Sequence, residues 1–144
     1  MFETIFDTEE HQIFRDSFRK FVAKEMTPNV PEWEKAGEVP RSVWVKMGEQ
    51  GFLCPWLPEE YGGLGLGFDY SVIINEEILR GNAFGVEVPL HSDVATPYIY
   101  SYASEEMKKK WLPGTTTGEI ATAIGLTEPN AGSDLAAIRT RAVK

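Results

Sequence analysis

Cysteine is nearly absent: Cys54 stands alone in 144 residues. A lone thiol cannot build an internal disulfide framework, which fits a reducing, intracellular compartment. Histidine is scarce too. His11 and His91 are far apart and distant from Cys54, so metal-ligand spacing is missing. Basic charge is short, with 14 Lys and Arg against 22 Asp and Glu, a formal charge of −8. That balance excludes nucleic acid as a partner and favours solubility. No apolar run is long enough to cross a bilayer, so membrane insertion is not expected. The N-terminus, Met-Phe-Glu-Thr-Ile-Phe-Asp, lacks the basic and apolar regions of a signal peptide and is too acidic for a transit peptide. No internal repeat is visible, and Thr115-Thr116-Thr117 is too short a run to carry meaning.

What is present is a core. Hydrophobic residues make up 42% of the chain, with four Trp, enough for one domain or one domain and part of another. Residues 8–25 read as an amphipathic helix. Asp7 or Thr8 is the expected cap, with capping-box spacing from Asp7 to Glu10. Phe14, Phe18, Phe21 and Val22 share one face, and Arg15, Arg19 and Lys20 are expected in solvent. Pro28 and Pro31 interrupt, and Trp33 anchors a short helix or turn. A second helix spans about 40–50, burying Val43, Trp44 and Met47 and closing at Gly51. Prolines and glycines make 52–67 a loop. A helix over 69–80 presents Tyr70, Val72, Ile73, Ile74, Ile78 and Leu79. A longer helical stretch over 84–103 is kinked near Pro89 and Pro97. Ser104 caps a helix over Glu105–Leu112, which Pro113-Gly114 is expected to stop.

From Glu119 the pattern changes to short strand-like runs, Ile120–Leu126 and Arg139–Val143. A boundary is expected there, with a helical domain over 1–118 and the start of a β domain over 119–144. Two strands cannot form an independent core, so the β domain is expected to continue beyond Lys144.

The segment Ala123–Asp134 carries the chemistry. Pro129 lacks an N–H and holds Glu128 extended, so the strand ends near Thr127. Thr127 keeps a free hydroxyl there. Gly132 can take positive φ and lets a ligand approach the backbone closely. Ser133 can serve as N-cap to a short turn over 134–138, whose free N–H groups would suit an anion. Asp134 opposes that reading, and its carboxylate should point away. An ordinary strand–turn connection accounts for the same residues.

The string Thr127-Glu128-Pro129-Asn130-Ala131-Gly132-Ser133-Asp134 resembles the signature of the acyl-CoA dehydrogenase family. The resemblance covers the whole chain. It includes Trp33-Glu34, the Trp44–Phe52 helix ending in Gly-Phe, Pro58–Gly63, Leu90-His91-Ser92-Asp93, and Ser104-Glu105-Glu106 through Trp111-Leu112-Pro113. It implies a mainly α fold: an N-terminal helical bundle, with the first strands of a β-barrel domain at the C-terminus. It implies FAD as cofactor and α,β-dehydrogenation of an acyl-CoA thioester. In the family a glutamate takes the α-proton and the flavin takes the β-hydrogen as hydride. An electron-transfer flavoprotein accepts the electrons, and the intact enzyme is a homodimer or homotetramer. Carried over by position, Ile124, Leu126 and Thr127 lie along the flavin, with Thr127 at its pyrimidine edge. Gly132 and Ser133 approach the pyrophosphate, and Ser133 also lies beside the CoA moiety. Val88, His91 and Ala95 shape the acyl-tail pocket. The family glutamate lies beyond Lys144, so this chain alone is expected to lack dehydrogenase activity. The bacterial cytoplasm is the expected location, or the mitochondrial matrix after processing. An acyl-CoA oxidase, a flavin monooxygenase of the same superfamily and a non-catalytic helical binding module stay as alternatives.

Other motifs point elsewhere only weakly. Gly62–Gly67 lacks dinucleotide-binding spacing and a preceding strand. Ser17-x-x-Lys20 has no partner motif. His91 and Asp93 fall on different helix faces, which suits a surface or satisfied-core histidine. Glu76 and Glu77 are expected in solvent or at the bundle end, and neither they nor Glu128 is assigned as a base.

Overall fold

A computed structural model describes residues 8–143. Six α-helices form among the described residues: α1 (Glu9–Phe21), α2 (Val30–Ala36), α3 (Arg41–Glu49), α4 (Phe68–Arg80), α5 (Thr96–Tyr102) and α6 (Glu105–Thr117). Helix α1 packs on α4, α3 on α6, and α5 on α6. Phe52, just past α3, is the hub of the main core. Its ring meets Phe18 at 4.7 Å and Phe14 and Phe21 at 5.6 Å, all edge-on. Met26, Met47, Ile74, Ile78 and Val86 close around it. Each fully buried side chain of this size contributes roughly 2 kcal/mol. A second cluster, Cys54, Leu57, Tyr61 and Leu112, joins the proline-rich loop to α6.

Several expectations need correction. The α1 cap is Thr8, whose partner is His11 rather than Glu10; Asp7 lies outside the described residues. Arg15 and Arg19 are not free in solvent but bind Glu76 and Glu77 on α4. Glu77 is 2% exposed, the reverse of a solvated carboxylate. Leu79 is exposed while Ile78 is buried. Trp44 is only partly buried, unlike Val43 and Met47.

The helix expected from 84 begins near Val88, after a turn. Pro89 lies in its first turn, where its missing N–H costs nothing. Leu90–Ala95 is a widened π turn: Thr96 N–H reaches back five residues to His91 O. Widening just before Pro97 relieves the clash of its ring with the preceding turn.

Pro113-Gly114 does not stop α6, which runs on to Thr117. The three threonines explain why. Thr115, Thr116 and Thr117 hydroxyls donate to the carbonyls of Leu112, Pro113 and Gly114 at 2.7, 2.8 and 3.3 Å. Each bond reaches back three residues and ties the last turn across the breaker pair. Gly118 is the real stop, at φ +76°. A Cβ there would sit 2.2 Å from Trp44 O, so both conformation and space require glycine.

Beyond Gly118 no β strand is formed among the described residues. The isolated bridge of Glu128 with Ala131 lies between the two strand-like runs that were expected. Ile120–Leu126 and Arg139–Val143 have no strand partner among the described residues, and a ladder needs one.

Candidate flavin-facing segment

The segment leaves α6 in two anchored steps. Ile120 N–H donates to Gly114 O at 2.9 Å, and the Ile120 side chain lies where a Cβ on Gly114 would be, 2.4 Å away. Thr122 N–H then donates to His91 Nδ1 at 3.0 Å. Past Thr122 the backbone runs out into solvent. Ile124 is half-buried, Leu126 is 49% exposed, and Thr127 is exposed.

Glu128 closes the loop that follows. Glu128 and Ala131 exchange backbone hydrogen bonds at 2.8 and 3.1 Å around Pro129-Asn130, a β-turn with proline at its second position. The Glu128 carboxylate accepts from Arg139 N–H at 2.9 Å and Thr140 N–H at 2.8 Å. It also accepts from the Thr140 hydroxyl. That hydroxyl, then the two N–H groups, hold its pKa below the ordinary carboxyl value. This role was missed at the sequence level, because the donors lie eleven and twelve residues downstream.

Gly132 and Ser133 sit on the outer rim, exposed. Gly132 does not use the positive φ open to it; what it supplies is space, with nothing within 4 Å of a Cβ. Ser133 is not the cap. The 3-10 turn Leu135–Ala137 starts from Asp134, without a side-chain cap bond. Among the described residues, the hydroxyls of Thr127 and Ser133 have no hydrogen-bond partner. Open backbone at Gly125 and Gly132, an apolar Leu126 and two free hydroxyls form a donor set that fits the polar edge of a flat cofactor.

Val88, His91 and Ala95 lie elsewhere. Val88 belongs to the main core and Ala95 is buried. His91 is 0% exposed, with both nitrogens engaged: Nε2–H donates to Thr115 O at 3.0 Å, and Nδ1 accepts from Thr122. Burial pushes its pKa down, against the Thr115 bond. The open cleft on this helix, about 300 Å³, is lined instead by Trp56, Phe68, Asp93, Pro97, Tyr100 and Ser101. Asp93 accepts from Ser71 Oγ at 2.7 Å, and burial pushes its pKa up. The Cys54 thiol is raised by burial and lies among Thr96, Thr115 and His91, an inert setting. No group of metal-binding side chains forms among the described residues, and no helix there is long and apolar enough to cross a membrane.

The sequence profile of the acyl-CoA dehydrogenase N-terminal domain matches residues 8–119. The chain belongs to the acyl-CoA dehydrogenase family. It is 47% identical over 135 residues to the mitochondrial long-chain specific acyl-CoA dehydrogenase of Sus scrofa, covering 94% of this chain and 31% of that protein. The crystal structure of an acyl-CoA dehydrogenase from Geobacillus kaustophilus superimposes with a TM-score of 0.88 at 57% identity, over 93% of this chain and 35% of the other. A glutaryl-CoA dehydrogenase from Mycobacterium smegmatis, solved with FADH2, gives 0.84 at 30% identity, over 93% and 35%. The chain thus spans about a third of the length of these relatives.

Proposed function

We propose that this chain is the N-terminal part of an FAD-dependent enzyme that dehydrogenates acyl-CoA thioesters. The observation that carries the reading is the exposed rim Ile124–Thr127 and Gly132-Ser133, where the Thr127 and Ser133 hydroxyls have no hydrogen-bond partner among the described residues. Bound there, FAD supplies the hydride acceptor. Thr127 binds the pyrimidine edge through its hydroxyl, and Ile124 and Leu126 lie along the ring. Gly132 lets the pyrophosphate approach, and Ser133 serves both it and the CoA moiety. The helical body, residues 1–118, holds this edge in place, and 119–144 opens the flavin-binding domain. Val88 and Ala95 enter as buried apolar backing of the acyl-side helix. An electron-transfer flavoprotein is the proposed acceptor.

The complete natural protein tests this. It should purify with a flavin spectrum that bleaches under anaerobic addition of a saturated acyl-CoA. Thr127→Val should weaken FAD binding by about fivefold, the effect of one hydrogen bond worth roughly 1 kcal/mol. Absence of flavin, or a bound flavin that no acyl-CoA reduces, would overturn the reading.

A further inference from the structure

We propose that His91 is a positioning residue: its imidazole fixes Thr122, and through Thr122 the run that presents Ile124, Leu126 and Thr127 to the flavin. The inference rests on the flavin reading above and adds a residue with no cofactor contact of its own.

The geometry is a three-way junction. His91 sits in the widened turn Leu90–Ala95, fully buried. Nε2 lies 3.0 Å from Thr115 O in the last turn of α6. A carbonyl only accepts, so Nε2 carries the proton and Nδ1 keeps its lone pair. Thr122 N–H donates to that lone pair at 3.0 Å. The Thr122 hydroxyl lies 2.8 Å from Nδ1, 3.2 Å from His91 O and 3.3 Å from Thr96 Oγ1. The Trp44 ring meets the imidazole edge-on at 5.3 Å and holds it from the α3 side.

Thr122 carries every hydrogen bond between residues 121–127 and the helices, among the described residues. Four residues separate it from Thr127, five steps along the backbone and a span of at most about 17 Å. A small swing at Thr122 therefore moves the whole donor edge. A buried histidine with both nitrogens satisfied suits such a joint, because a single ring sets the distance between α6 and the departing segment. The neutral ring is the competent form, and burial favours it. Cys54, Thr96 and Thr115 face it without charge, and Asp93, on its own turn, is occupied by Ser71.

The test uses the complete natural protein, titrated with FAD after flavin removal and followed by amide hydrogen exchange. His91→Leu should speed exchange at Thr122 by at least about tenfold, leave α1 and α4 amides unchanged, and raise the FAD dissociation constant by about tenfold. The visible circular dichroism of bound flavin should change with it. His91→Gln, whose amide offers one donor and one acceptor, should recover most of the affinity. Thr122→Val, a milder change of similar shape, should move the flavin signal in the same direction if His91→Leu fails to fold. Unchanged affinity and dichroism in His91→Leu or Thr122→Val would overturn the proposal while the flavin reading stood. So would general loosening of α1 and α4 without rescue by Gln. Failure of the unmutated protein to take up FAD would overturn the flavin reading itself, and this proposal with it.

Discussion

Arg15 Nη1 donates to Glu77 Oε1 at 3.0 Å, joining α1 to α4 through a carboxylate that is 2% exposed. Arg19 adds bonds of 2.8 and 3.0 Å from the same face, and Arg80 one of 3.0 Å. Burial alone would raise the Glu77 pKa, but the Arg19 and Arg15 bonds outweigh it and hold the group below its ordinary value. Removing the carboxylate breaks a buried ion-pair network: Arg15, whose side chain is mostly buried, is left with Glu76 alone, and Arg19 loses both of its bonds to α4. Glu77→Ala should therefore cost about 3 kcal/mol, read as a lower urea midpoint at unchanged slope. Arg80→Ala should cost no more than about 0.5 kcal/mol, because its exposed side chain is screened. Equal losses for the two variants would refute this ranking. A depressed folded pKa means stability that is present above the ordinary 4.5 and lost as pH falls through the folded value.

Helices α3 and α6 cross at Gly48. A Cβ on Gly48 would lie 2.3 Å from the backbone carbon and oxygen of Thr117. In an exposed helix Gly→Ala stabilises by about 1 kcal/mol. Here the obstacle is backbone, so the helices must separate, at about 1–3 kcal/mol. Gly48→Ala should be destabilising in urea titration; a stabilised variant would show that the helices part without cost.

Periodicity made the helical body legible. Phe14, Phe18, Phe21 and Val22 fall on one face and meet the core as read. The errors come from partners distant in sequence. Nothing beside Glu77 announces Arg15 or Arg19, some sixty residues away, so a charged helix face reads as solvated. The threonines after Pro113-Gly114 accompany a continuation where a stop was expected, bonding the carbonyls three residues back, a local effect hidden behind a strong breaker pair. Thr127, Gly132 and Ser133 were visible as a motif. Their supports, Glu128 to Thr140 and His91 to Thr122, depend on tertiary contact.

His91 should make stability pH-dependent near neutrality. Burial lowers its folded pKa below the ordinary 6.5. The unfolded chain then binds the proton first. The contribution is complete above pH 6.5 and falls as pH drops towards the folded value. Asp93 has the opposite sign, since burial raises its pKa above the ordinary 3.8. The difference between wild type and His91→Gln isolates the imidazole. The wild-type Tm should fall from pH 7.5 to pH 5.5 more than that of the variant. Parallel curves would show that His91 is not the titrating group.

Glu128 should act as the clasp of the signature loop. Its carboxylate binds two backbone N–H groups and one hydroxyl of Arg139-Thr140, so one side chain closes residues 128–140. Gly132 and Ser133 lie on the loop it closes, and no other side chain reaches across from 128–131 to 139–140 among the described residues. Glu128→Ala should speed amide exchange at Arg139 and Thr140 and open the 129–138 backbone to limited proteolysis. Helices α1 and α4 should keep their protection. Acid should mimic the variant: the carboxylate's pKa is depressed by Thr140 first, so the clasp holds above the ordinary 4.5 and releases as pH falls through the folded value. Unaltered exchange at Arg139 and Thr140 in Glu128→Ala would show that the loop is held by its backbone turn alone.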